Sequence, residues 1–148
     1  MSDMDPCELC GMQAETVVPA GGNDGIRQRC PRCGDFKLAR TAMIRRVPWS
    51  DKVKLSGWVR DQNQLGEVPE LTSDRISIIA ASRLPGIVER ADRLLSHAIR
   101  NQERVGESIV LDDSFIAVTY STDWDELMYL ARFLMDEGWI KLNDHTGK

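Results

Sequence analysis

The sequence predicts an α+β protein made of a small cysteine-held β-ribbon, a helical connector and a mostly helical C-terminal part. Two Cys-x-x-Cys pairs, Cys7-Glu-Leu-Cys10 and Cys30-Pro-Arg-Cys33, flank 19 residues that contain a short apolar run and a glycine-rich turn. From Gly86 to Arg104, the apolar residues Ile87, Val88, Ala91, Leu94, Leu95, Ala98 and Ile99 recur at the 3, 4, 7 spacing of an amphipathic helix. The final third continues in the order strand, helix, helix, strand, turn, which is the element order of a winged helix.

The four cysteines in the chain all belong to the two pairs. A Cys-x-x-Cys turn places two sulfurs on one side of a backbone reversal, and the glycines that follow, Gly11 and Gly34, are free to take the positive φ that closes it. Two such knuckles supply four thiolates at the corners of a tetrahedron, which suits zinc. The alternative is a pair of disulfides, but redox Cys-x-x-Cys motifs open a helix in a βαβ setting, whereas these precede glycine. Met1 to Pro6 is acidic and polar, unlike a secretory leader, so a reducing cytoplasm and metal-held thiols are expected. With Cys7, Cys10, Cys30 and Cys33 as ligands, no coordination position is left for a substrate, and the expected role of the zinc is structural.

At 148 residues and 42% hydrophobic, the chain can bury a moderate core beside a metal-held module. Its apolar runs are too short to cross a bilayer. The formal charge of −4 hides a separation: Ile26 to Arg60 holds ten basic residues against Asp35 and Asp51, a net of +8, while Val105 onward carries −6. The basic cluster reads either as a solvated face or as an anion-binding surface.

Each element has a local cause. Thr16 to Val18 reads as a strand, Gly21 to Gly25 as a loose turn, and Ile26 to Arg29 as the returning strand, with Asp35 to Leu38 a third. This ribbon occupies residues 1–47, with Thr41 capping a short helix to Arg46. The connector, 48–85, begins after Pro48 with a helix capped by Ser50, passes a linker from Gly66 to Leu71, and restarts a helix at Thr72-Ser73-Asp74. The winged-helix-like part, 86–148, is expected to hold the long helix, a strand Ser108 to Leu111 and a helix capped by Asp112 or Asp113. A last helix, Asp123 to Glu137, is capped by Ser121 or Thr122 and stopped by Gly138, and a strand follows from Trp139 to Leu142. Its wing is incomplete, which points to a longer protein or to completion by another chain.

Several stretches carry a resemblance. Cys7-x-x-Cys10-Gly11, the run Cys30-Pro-Arg-Cys33-Gly34-Asp35-Phe36, the helix Leu55-Ser56-Gly57-Trp58-Val59-Arg60-Asp61-Gln62 and the segment Asp125-Glu126-Leu127 to Gly138-Trp139-Ile140 together resemble a region of bacterial multidomain proteins. It is their N-terminal zinc-ribbon and winged-helix-like region, which precedes a TIR-like or nucleoside-deoxyribosyltransferase-like domain. The resemblance implies ligand roles for the four cysteines and a sensing or binding role in antiviral defence or stress response. It carries over no catalytic chemistry.

Two function classes follow, and catalysis is not expected. The histidines, His97 and His145, have no nucleophile partner, and the Asp112-Asp113 pair reads as a helix cap. The first, to which the sequence points ahead of the other, is a regulatory or sensor module that contacts nucleic acid or nucleotide through the ribbon: Arg27, Arg29, Arg32, Lys37, Arg40, Arg45 and Arg46, with Phe36 either stacking on bases or packing beside the zinc. The last helix, with a net of −4 over Asp123 to Glu137, would be repelled by phosphate. The other class is a protein-interaction adaptor, docked to a protein partner or a C-terminal effector domain, or forming homo-oligomers through its opposite charges. In that reading Trp124, Tyr129, Phe133 and Trp139 are mostly core, and in part interface.

Overall fold

The computed structural model describes residues 2–17, 25–40, 42, 44–104 and 106–141. Four strands, β1 (Ser2–Pro6), β2 (Gln13–Val17), β3 (Ile26–Cys30) and β4 (Gly34–Leu38), run as an antiparallel meander, and β5 (Glu70–Leu71) adds to β4 in parallel. A 3-10 turn, Ile44–Arg46, leads into α1 (Trp49–Gln64); α2 (Ser73–Ala80), α3 (Ile87–Asn101), α4 (Ser114–Val118) and α5 (Trp124–Asp136) follow. No helix among the described residues is long and apolar enough to cross a membrane.

Alternation along the strands decides the sheet's two faces. Ala14, Thr16, Gln28, Cys30, Phe36 and Leu38 point inward and are buried. Leu55 and Val59 of α1, Leu71, and Ile76 and Ile79 of α2 pack on that inner face. A second core gathers Ala91 and Leu94 of α3, Phe115 and Ile116 of α4, and Leu127, Leu130, Ala131 and Leu134 of α5. Helix α1 touches both parts, since it lies against β4 and α2 on one side and α4 on the other.

Several elements differ from the sequence reading. The acidic leader is strand β1, because pairing with β2 satisfies its backbone whatever its side chains are. The Gly66 to Leu71 linker ends in β5: the Lys37 and Ala39 amides donate to the carbonyls of Pro69 (2.8 Å) and Leu71 (3.0 Å). The strand expected from Ser108 to Leu111 is not formed, nor is one over 139–141. Ile109 and Leu111 lean on the second core with no neighbouring strand to pair with. Trp139 donates its amide to Leu134 (2.9 Å) and Gly138 donates to Met135 (3.0 Å), so this backbone closes α5 in a Schellman-type turn with Gly138 at φ 82°. The described part of 86–141 is therefore helical, with no strand.

Caps shift by small steps. Helix α1 starts at Trp49 after an extended Pro48 (φ −67°), whose carbonyl accepts from Asp51 and Lys52, so Ser50 lies inside the helix. Thr72 caps α2 as expected. Asp123 caps α5 by accepting from Glu126, which returns its carboxylate to Thr122. Asp112 accepts from the Ser114 amide at 3.0 Å at the start of α4. The Thr41 cap, residues 21–24 of the expected Gly21 to Gly25 turn, Leu142, the 143–147 turn and His145 lie outside the described residues.

Candidate metal centre

The β1–β2 and β3–β4 connections are the two knuckles, and the sheet brings them together. The Sγ atoms of Cys7, Cys10, Cys30 and Cys33 lie within 4.8 Å of one another, with Cys10 and Cys30 at 3.4 Å. Metal–sulfur bonds of about 2.3 Å in a tetrahedron place sulfurs about 3.8 Å apart, so the cluster has the dimensions of a four-thiolate site. Cys7, Cys30 and Cys33 are buried, whereas Cys10 is partly accessible. These four residues are positioned to hold a metal ion.

Backbone amides prepare the sulfurs for negative charge. Leu9 donates to Cys7 Sγ at 3.4 Å, Met12 to Cys10 and Cys33 to Cys30. The thiols also act on one another: hydrogen bonds from Cys10, then Cys33 and Cys7, drive Cys30 strongly towards the thiolate. Bonds to Cys10, Cys30 and Cys7, followed by burial, hold the Cys33 proton on. Crowded sulfurs share protons in this way because four like charges at this distance need a cation to coexist.

Each knuckle has its own support. The first is closed by Cys7 donating to the Met12 carbonyl (2.6 Å) and Gly11 donating to that of Cys7 (2.9 Å), with Gly11 at φ 83°. Gln28, 1% exposed, holds it from inside the sheet. Its Oε1 accepts from Glu8 (2.9 Å), and its Nε2 donates to Thr16 Oγ1 (3.0 Å) and the Pro6 carbonyl (3.2 Å). The second knuckle is held by α1. Arg60 donates to the Arg32 carbonyl (2.9 Å) and the Pro31 carbonyl (2.7 Å). The Asn63 amide pairs with both backbone groups of Asp35 at 2.9 Å, as a neighbouring strand would. Burial lowers the pKa of Arg60, and its attraction to Cys33 and Cys30 offsets part of that cost.

The basic residues singled out in the sequence do not share one environment. Cross-strand pairing sets Arg29 beside Glu15 and Asp35, Arg27 beside Lys37, and Lys37 beside Glu70 on the sheet's outer face. Arg27 grips Asp35 through two bonds (2.9 and 2.6 Å), and Arg29 lies 3.5 Å from Glu15 and 3.6 Å from Asp35. That face holds Arg27, Arg29 and Lys37 against Glu15, Asp35 and Glu70, three charges of each sign. Arg32 turns inward, its side chain 17% exposed and 4.0 Å from Asp113. Lys37, Arg40 and Arg46 are exposed. The Arg45 side chain lies outside what the structure describes.

Phe36 is fully buried in the ribbon core and is not a stacking surface. His97 packs edge-on against Phe115 (4.5 Å) and hydrogen-bonds Ser114 Oγ at 3.0 Å, whose hydroxyl in turn serves Asp112. The carboxylate thus sits on the serine and not on the imidazole, which is the wrong order for a nucleophile–base relay. Trp124 (40% exposed), Tyr129 (62%) and Trp139 (68%) lie mostly outside the core, contrary to the reading from helical spacing; Phe133 packs on it. Gln28, Arg60 and Asn63 had no sequence signal, because each acts on partners 12 to 29 residues away. No family model, curated protein or solved structure matches the chain.

Proposed function

We propose that the chain is a zinc-held, non-catalytic docking module that uses its surface to engage another protein. Four convergent cysteines satisfy the whole coordination preference of zinc, so the metal acts as a fold-holding cross-link in a reducing compartment such as the cytoplasm. The observation that carries the docking reading is the balanced charge ladder on the sheet's outer face. Arg27 and Arg29 are engaged by Asp35 and Glu15, so they are not poised for a phosphate backbone. Large apolar side chains remain on the surface instead, among them Trp124, Tyr129 and Trp139 of the acidic half. In this reading α3 to α5, in the helix order of a winged helix, form the docking part. The partner is an effector domain of the defence type implied by the resemblance, or a second copy.

A second reading, nucleic-acid contact through the ribbon, is favoured by the exposure of Lys37, Arg40 and Arg46. One titration separates the two. Zinc-loaded protein is mixed with labelled single- and double-stranded DNA and RNA at low and moderate salt, with a Lys37→Ala, Arg40→Ala, Arg46→Ala variant alongside. The docking reading expects no binding that the variant abolishes; salt-sensitive binding lost in the variant overturns it.

A further inference from the structure

Helix α4 is five residues long and all five are buried, so it is too short to hold its own conformation. Its start is tied to the second knuckle directly, and its far end through α1. At the start, Arg32, which lies between the two cysteines of that knuckle, reaches Asp113 at 4.0 Å. At the far end stands Tyr120, whose φ of 57° is one that glycine adopts freely and a bulky residue does not. Three contacts hold it there. Its ring lies on Gly57 of α1, where even a Cβ would come within 2.5 Å of it; its hydroxyl donates to Asp61 (3.1 Å); and Arg93 covers its ring at 5.0 Å while donating to both Asp61 oxygens (2.6 and 3.2 Å).

Asp61 follows Arg60 in the chain, and successive helical residues point about 100° apart. One turn of α1 therefore faces two ways: Arg60 and Asn63 grip the second knuckle, and Asp61, with Gly57 one turn earlier, grips the end of α4. A shift of the knuckle moves the first grip and, through a rigid helical turn, the second.

We propose that Arg60 and Asn63 are positioning residues of the metal centre, and that they and Arg32 couple metal occupancy to the placement of α4 and Tyr120. The inference rests on the reading of the four cysteines as a metal site. With the metal bound, the second knuckle is fixed, α1 is seated and Tyr120 is held in its unusual conformation. Without it, the carbonyls of Pro31 and Arg32 lose their fixed position and α4 is released.

The test is hydrogen exchange over Asp112 to Thr122 in the full chain, zinc-loaded and after chelation, with zinc content measured in every sample. Metal removal is expected to speed exchange in α4 by about 10-fold or more, a change on the scale of sub-global opening. In Asp61→Asn, which leaves the knuckle contacts in place, the dependence on metal falls away. Binding linkage is reciprocal, so the zinc Kd of that variant rises several-fold although Asp61 lies outside the metal site. A residue that merely stabilised the second core would lower the unfolding midpoint of zinc-loaded and chelated protein alike and leave α4 exchange dependent on the metal. Zinc-binding wild-type protein whose α4 exchange ignores the metal overturns the proposal, as does an unchanged Kd in Asp61→Asn. A wild-type chain that takes up no metal overturns the underlying reading and shows separately, in the zinc measurement.

Discussion

Asn63 and Gly34 fit together at the end of the second knuckle: a Cβ on Gly34 would stand 2.3 Å from Asn63 Oδ1, and Gly34 already has a φ of 98°. Two independent requirements thus exclude a side chain at this position. Gly34→Ala is expected to lose about 1–3 kcal/mol from backbone strain alone. Displacing Asn63 from Asp35 adds to that. Thermal unfolding of the zinc-loaded protein measures the sum, and a Tm within a degree of wild type would contradict the geometry.

The second prediction concerns the ligands. Cys33 is fully buried, and its replacement by serine would leave three sulfurs and an oxygen at the candidate metal site. Apparent zinc affinities of about 10–16 kcal/mol act as folding energy in small modules, so Cys33→Ser should release the metal and unfold the ribbon together. A zinc-release dye and far-ultraviolet circular dichroism, followed in one titration, should change at the same point.

Gln28 supplies a third. It is buried, and its amide serves Glu8, Thr16 and Pro6 at once. Gln28→Leu keeps the volume but strands those partners, and unmet buried polar groups cost about 1–3 kcal/mol. Denaturant unfolding should show a lower midpoint with an unchanged slope.

A fourth follows from His97, whose pKa is lowered by burial, then by Arg60 and Arg100, with Asp112 pulling the other way. The folded state thus resists a proton that the unfolded state accepts, so stability is present above the unfolded pKa of about 6.5 and falls as the pH drops through it. Thiolate protonation acts in the same direction. The part that belongs to His97 is the difference between wild type and His97→Gln, whose stability should decline less steeply between pH 7 and pH 5.

The site was legible because ligands are named by spacing alone: Cys7, Cys10, Cys30 and Cys33 stand where two knuckles require them, and the sheet brings them within bonding distance of one ion. The long helix α3 was legible from its 3, 4, 7 stripe. Supports such as Arg60, Asn63 and Gln28 were not, since a polar residue's role depends on which distant carbonyl it meets. Strand β1 carried no alternating apolar pattern, and the apolar residues of 108–111 and 139–141 mimicked strands while serving as packing and as a helix cap. Counting charge along the chain does not reveal pairing: Glu15 falls outside the Ile26 to Arg60 window, and Asp35, counted inside it, is shared by Arg27 and Arg29.

The packing of α1 and α2 beneath the sheet changes what can be lifted out of this protein as a unit. A fragment cut at residue 47 would carry the cysteines but leave Phe36 and Leu38 facing water, stripped of Leu55, Val59, Leu71, Ile76 and Ile79. It would also lack β5, leaving β4 with an open edge for a neighbouring molecule to pair with. A transplantable piece therefore extends at least through α2, near Ser82, and a graft of the ribbon onto another scaffold should take its two helices with it.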